Sequence, residues 1–329
     1  MRKPKFVLCV LCLLVFSCGT AGAAEIVIRV ASALAESHAT HVALTDIFAK
    51  QCAEKSGGRL KVEVYPNSQL GGDRQAIEGV SMGTIQACQA ATAVLANFDE
   101  RFIVFDLPFL FKSAQGFYDS VDNELEAKMN EFLEIHDILV LGTLDGGLRH
   151  VASTKRPIAA PADMKGMKIR TMENPIHMAT FKAFGANPTP MAMGELYTAL
   201  QQGAIDAIEN SVPVIETSKF YEVTKYYSLT GHLFTVVPLM INKPFFDGLA
   251  EDLQQIILEA GLETEKFQRD LFNQQTADYM GKLEAAGMTI TPISDENRQL
   301  FVDLCRPIYD DFTAKHGTQL LEIIEKYNK

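Results

Sequence analysis

Met167-Lys168-Ile169-Arg170 puts an arginine at the end of a short strand pattern, just before a helix-forming stretch that opens at Pro175. A guanidinium in that position can grip a small carboxylate through two parallel hydrogen bonds. Arg149, following the Gly146-Gly147 pair, offers a second group of the same kind. His38 lies between the first strand pattern and the first helix, where it could face a cleft or simply cap that helix. Spacing alone does not raise either arginine above a solvated or ion-paired surface residue.

Other candidate motifs dissolve in their context. Gly79-Val80-Ser81-Met82-Gly83 has the spacing of a nucleophile elbow, which needs a strand before the serine and a helix after it. Here a helical pattern precedes and an apolar strand follows, so the glycines end a helix and a hydrolase is not expected. His38 and His41 have no third ligand nearby, and Cys9-x-x-Cys12 falls in the leader, so no metal site is expected. There is no Walker loop, no Gly-x-Gly-x-x-Gly after a strand and no paired His/Glu signature, hence no expected cofactor. The run from Asp106 to Phe111, and Phe220, Tyr221, Tyr226 and Tyr227, read mainly as packing.

The N-terminus carries Arg2, Lys3 and Lys5, then an apolar run over 6–16, then small residues up to Ala24. This is the grammar of a secretory signal peptide over 1–24, with an apolar run too short to span a bilayer. Cys18 would mark a lipoprotein site instead, but Phe16 is bulky where a small or aliphatic residue belongs. Cleavage removes three cations and takes the net charge from −11 to −14. So acidic a chain argues against nucleic acid and anionic membrane surfaces as partners, while a few arginines can still reverse the field inside a cleft. Cys52, Cys88 and Cys305 remain, too few and odd in number for a disulfide framework.

Strand and helix patterns alternate, the signature of an α/β fold. Strands are expected over 26–31, 60–65, 85–90 and 138–142, then a turn and crossover at Asp145-Gly146-Gly147. A second unit follows with strands over 149–153, 167–171 and 204–208 and helices over 175–184 and 194–202. The apolar run 229–241 is long enough to return to the first unit. A helical pattern over 250–286 would span about 55 Å and brace both, with a kink near Gly261. Length fits two domains: 25–147 plus about 232–275, and 148–231 plus about 276–329.

The stretch Pro161-Ala162-Asp163-Met164-Lys165-Gly166 leading into Lys168-Ile169-Arg170 continues through Gly185-Ala186-Asn187-Pro188-Thr189-Pro190. It then passes Gly194-Glu195-Leu196-Tyr197 and ends at Ile205-Asp206-Ala207-Ile208-Glu209-Asn210. Together with Tyr65-Pro66-Asn67-Ser68-Gln69-Leu70-Gly71-Gly72-Asp73-Arg74, Leu107-Pro108-Phe109 and Lys219-Phe220-Tyr221-Glu222-Val223, this closely resembles the substrate-binding proteins of tripartite ATP-independent periplasmic (TRAP) transporters. The resemblance covers nearly all of the chain beyond the leader.

It implies a periplasmic binding protein-like fold of two hinged α/β domains and a periplasmic, non-enzymatic receptor for an organic acid. It also implies delivery to small and large membrane subunits for uptake driven by an ion gradient. A monomer is expected. Arg170 would make the carboxylate salt bridge, Arg149 a second contact, and Asn210 would orient ligand oxygens. Asp73 and His38 would complete the pocket on closure. Two departures, Ala91 where sialic-acid binders carry a glutamate and Ala207 where glycine is usual, argue against sialic acid. Among the acids that an arginine pocket satisfies, a sugar acid is expected slightly ahead of a C4-dicarboxylate. An ATP-driven transporter's binding protein could share the fold, without the 170-to-210 pattern.

Overall fold

A computed structural model describes residues 25–328; the expected signal peptide, with Cys18, lies outside them. The described residues form nine strands: β1 Ile26–Ala31, β2 Leu60–Tyr65, β3 Ala87–Gln89, β4 Ile138–Ser153, β5 Lys168–Thr171, β6 Asn187–Pro190, β7 Ala207–Asn210, β8 Tyr226–Asn242 and β9 Thr289–Thr291. They join one sheet in the order β2-β1-β3-β8-β4-β7-β5-β6, with β9 also on β8. β1 pairs in parallel with β2 and β3, and β5 in parallel with β6 and β7. Between these two parallel units runs the long antiparallel ribbon of β4 and β8, which belongs to both halves. The cleft opens where that ribbon crosses.

The ribbon corrects one expectation. Asp145-Gly146-Gly147 is not a turn: β4 passes through it as one 16-residue strand. Its register against β8 shifts at Val140/Gly142, Asp145/Gly147 and Arg149/Val151. The glycines serve close approach and irregular backbone. A Cβ at Gly146 would lie 2.6 Å from the Thr235 side chain, and Gly147, at φ +75°, would put one 2.7 Å from the Phe272 ring. Turn-type residues therefore mark bulges here, because both flanks are buried and the chain has no room to leave the sheet.

A strand expected over 204–208 forms instead at Ala207–Asn210. Ile169 pairs with Ala207, and this register carries Asn210 to the strand's end. β6 was not anticipated; Pro188 and Pro190 are tolerated because it is the sheet's edge. Ser81 ends the helix Asp73–Ser81 and a strand comes after it, the reverse of a nucleophile elbow.

The long helix is continuous from Glu251 to Ala285, about 52 Å. Gly261 lies within it, and the expected kink is replaced by contact: a Cβ there would overlap the Leu141 carbonyl oxygen. The helix's side chains take up backbone groups that the β4 irregularities leave free. Thr143 N donates to Glu265 Oε2 at 2.7 Å, and Asp145 N donates to Gln268 Oε1 at 2.9 Å. Gln268 Nε2 donates to the Asp145 carbonyl at 2.8 Å, and Arg269 Nη2 to that of Thr143 at 3.0 Å. Buried backbone groups need such partners, so the helix holds the crossing in shape. Gly261→Ala is expected to lower stability by about 1–3 kcal/mol through overpacking. Chemical denaturation would register this as a lower midpoint with unchanged slope, and an unchanged midpoint would contradict the close approach.

The C-terminal part returns to both halves. Helix Asp295–His316 packs on helix Pro175–Ala183, and helix Gln319–Tyr327 on helix Ala114–Ser120. Among the described residues no helix is long and apolar enough to cross a membrane.

Candidate functional site

The lining of the cleft beside the ribbon includes Arg170, Arg149, Asn210, Asp73 and His38. The fold thus brings all five sequence-selected residues to one cavity.

Arg170 lies on β5, whose residues from Ile169 to Thr171 are buried. It is only 4% exposed, and its Nε donates to the Met191 carbonyl at 2.7 Å. That bond fixes the plane of the guanidinium. Among the described residues its two Nη groups have no hydrogen-bonding acceptor and it forms no salt bridge. Burial pushes its pKa down to about 10, with Glu209 pulling it back up and Arg149 pushing it further down. A buried cation without a counter-ion is costly, so this geometry is one that an incoming anion relieves.

Arg149, expected to give a second ligand contact, is held by protein groups. Its Nε donates to Glu209 Oε2, and Nη2 to Glu209 Oε1 at 2.8 Å and to the Glu209 carbonyl at 2.6 Å. Nη1 reaches Asn210 Oδ1 at 3.2 Å and Thr235 Oγ1 at 3.1 Å. All five N–H groups of the guanidinium are thereby engaged. Burial alone would raise the Glu209 carboxyl, but the Arg149 charge and hydrogen bonds from His232 and Arg149 hold it well below the usual carboxylate range. Arg149 and Glu209 form a neutral pair that shapes the wall of the cleft.

That pairing orients Asn210. Its Oδ1 accepts from Arg149 and from Ser211 N at 3.0 Å, which leaves the side-chain NH₂, with the weakly accepting Met193 Sδ at 4.0 Å, as the donor on offer. The buried Tyr227 hydroxyl holds the Asn210 carbonyl at 2.9 Å.

Asp73 opens the helix Asp73–Ser81 and is half-buried. Burial in the cleft pushes its pKa up to about 6, against the Ala91 backbone N–H and the Arg170 charge. His38 turns out both to cap its helix and to line the cleft. Its Nδ1 accepts from Thr40 N at 3.2 Å, while Nε2 is buried with no protein partner. Burial, and secondarily His41, lower its pKa to about 3. The imidazole is therefore neutral, and its proton sits on Nε2.

Sequence reasoning missed Gln89, Thr40, Asp145 and Thr235 in the lining. Gln89 ends the wholly buried β3, and a polar residue closing a buried strand was the available signal. Met172, Met191 and Met193 add an adaptable apolar wall, and Ala91 leaves space where a longer side chain would project.

Residues 30–316 match the family model for bacterial extracellular solute-binding proteins, family 7 (DctP). The chain is 34% identical to the 2,3-diketo-L-gulonate-binding periplasmic protein YiaO of Escherichia coli, covering 83% of this chain and 84% of YiaO. It also matches the crystal structure of the sugar acid binding protein of Advenella mimigardefordensis in complex with galactonate, with TM-score 0.89, 30% identity, and coverage of 92% of this chain and 99% of that one. A TRAP periplasmic solute binding protein from Polaromonas, bound to D-erythronate, gives TM-score 0.87 and 32% identity over 91% of this chain and 98% of its own. With its paired parallel units joined by one long ribbon, and a buried arginine open to the cleft between them, this chain belongs to the family 7 bacterial extracellular solute-binding proteins, the receptors of TRAP transporters.

Proposed function

We propose that this receptor captures a sugar acid, an aldonate or uronate carrying one carboxylate, and delivers it to small and large membrane subunits. The observation that carries this reading is Arg170: a buried guanidinium, held by Met191, with both Nη groups free toward the cleft. The carboxylate would sit in that fork. Asn210 would donate its NH₂ to a ligand oxygen, with Arg149 fixing the amide from behind. Asp73 would accept from a hydroxyl and His38 would approach from the β1 side. The similar proteins named with 2,3-diketo-L-gulonate, galactonate and D-erythronate support this ligand class.

In this reading residues 1–24 direct export to the periplasm, where the mature chain works as a monomer without catalytic chemistry. The two domains are 25–147 plus about 232–275, and 148–231 plus about 276–329, hinged at the ribbon. Arg74, on the helix that begins at Asp73, lies 3.6 Å from Glu173, in the loop after β5, and Asn97 Nδ2 holds the Glu173 carbonyl at 2.7 Å. These contacts bridge the cleft mouth and would be made only on closure.

A thermal-shift panel on the mature chain tests the ligand class. Galactonate, glucuronate, galacturonate, gulonate and erythronate are expected to include at least one acid that raises the melting temperature, since saturation at 100 times Kd adds about 2.7 kcal/mol. A panel with no response would reject the sugar-acid reading.

A further inference from the structure

The charges that line the cleft balance unevenly. Arg149 is neutralised by Glu209, and Arg74 pairs with Glu78 at 3.1 Å and with Glu173. Arg170 is the lining cation with no salt bridge among the described residues. Across the ribbon, on the β1 side, the polar lining consists of His38, Thr40, Asp73, Arg74, Gln75 and Gln89. The one cation on that wall, Arg74, is already taken up by Glu78 and Glu173. Beyond that paired arginine it offers one carboxylate, Asp73, and uncharged groups.

His38 is the unusual member. Its cap to Thr40 N uses Nδ1, so the ring proton must lie on Nε2, which is buried without an acceptor. An unsatisfied buried donor calls for a partner from outside the protein. The ring is also firmly placed. Gln275 on the long helix accepts from Ala39 N at 2.9 Å and donates to the Ser37 carbonyl at 2.9 Å, so it clamps the loop on both sides of His38. Gln268 donates to Thr40 Oγ1 at 3.2 Å. Such support gives the imidazole a defined position and not merely a hydrophobic berth.

Resting on the sugar-acid reading, we propose that His38 Nε2–H is the specificity-determining donor to an uncharged hydroxyl or carbonyl oxygen of the ligand. With Asp73 on the same wall, it makes the receptor select monocarboxylates and reject acids with a second carboxylate. A dicarboxylate would satisfy Arg170 at one end. Its other end would then face Asp73 and a ring that offers one N–H and no positive charge. A second buried anion there is not compensated, whereas a hydroxyl can donate to Asp73 and accept from His38.

Galactonate and galactarate form a matched pair that differs only by a terminal CH₂OH against a terminal carboxylate. Calorimetric titration of the mature chain is expected to show galactonate binding roughly 100-fold or more tightly than galactarate. Two variants separate the two nitrogens of His38. His38→Asn keeps a capping oxygen and loses the reach of Nε2, so galactonate affinity should fall roughly 10- to 100-fold with little change in melting temperature. His38→Gln keeps a donor near the Nε2 position and loses the cap, so it should retain more affinity than His38→Asn while melting lower. Equal binding of galactonate and galactarate would overturn the selectivity and leave the sugar-acid reading standing. Wild-type affinity in His38→Asn would overturn the donor role. If neither acid binds, and the thermal-shift panel is also silent, both readings fall.

Discussion

Arg170→Ala is expected to weaken sugar-acid binding by roughly 1,000-fold, below detection in a standard titration, while the empty protein melts no lower than the parent. Both halves of this result follow from the same geometry. In the complex, Arg170 would give a charge-assisted, two-pronged contact inside a water-poor cleft, and truncating one partner of such a pair costs about 2–5 kcal/mol or more. Without ligand, the guanidinium is buried, carries no salt bridge and has its pKa pushed down to about 10. Removing it therefore relieves an unfavourable charge. Arg170→Lys should fall between, because a point charge replaces the fork and the Met191 bond that orients it. Calorimetry with galactonate, or with whichever acid gives the strongest thermal shift, measures the loss; a calorimetric melt of the empty variant measures the fold. Parental affinity in Arg170→Ala would dismiss the carboxylate anchor.

The same imbalance gives a reason for closure. A ligand shifts a conformational equilibrium only by the contacts that one state offers and the other lacks. Arg170 from β5 and His38 from the β1 side lie on opposite flanks of the β4–β8 ribbon. One ligand can touch both only when the flanks approach. An empty closed cleft leaves Arg170 without an anion and His38 Nε2 without an acceptor. Each adds to the cost of closing without cargo, and the long helix bonded to β4 at Thr143 and Asp145 keeps the crossing strand in one shape while the flanks move.

How much of this could be read from residues alone differs from element to element. The strand ending near Arg170, the helix after Pro175 and the long helix from 251 are set by local pattern, and they appear where expected. Asp145-Gly146-Gly147 was misread because glycine answers two needs, a turn and a close approach. Only the positions of Thr235 and Phe272, distant in sequence, decide between them. Gly261 was misread for the same reason: the Leu141 carbonyl that it accommodates belongs to another element. At the site, the family pattern drew attention to Arg149 and Asn210, yet the state of Arg149 depends on Glu209, a residue 60 positions away. A glutamate in an otherwise apolar, buried strand does demand a cation. Which cation it takes is a matter of β4–β7 register, in which Val151 lies opposite Glu209 and His150 opposite Asn210, and that is not a local property.

Glu209 carries the second large prediction. It is fully buried, and its carboxylate receives Arg149 on both oxygens and His232 Nε2 at 3.3 Å. Glu209→Ala would leave the Arg149 guanidinium charged, buried and stripped of its counter-ion, a change that costs about 3–5 kcal/mol. A loss of that size should appear as a fall of several degrees or more in the melting temperature. Binding should suffer with it, since Asn210 Oδ1 is held by Arg149. Replacing both partners separates the two effects. Arg149→Met combined with Glu209→Leu removes both charges, so it should recover much of the stability lost in Glu209→Ala and still bind weakly, because Asn210 Oδ1 loses the Arg149 donor and keeps only Ser211 N. The pH dependence has a definite sign. Since the folded carboxyl titrates well below its ordinary 4.5, the pair's stabilisation is complete above that value and is lost only as pH falls toward the lower folded value. Stability of the parent relative to the double variant should therefore hold constant from pH 7 to pH 5 at this site and decline only in stronger acid. A Glu209→Ala protein that melts with the parent would show that Arg149 finds another counter-charge, and would remove the neutral pair from the account of the cleft.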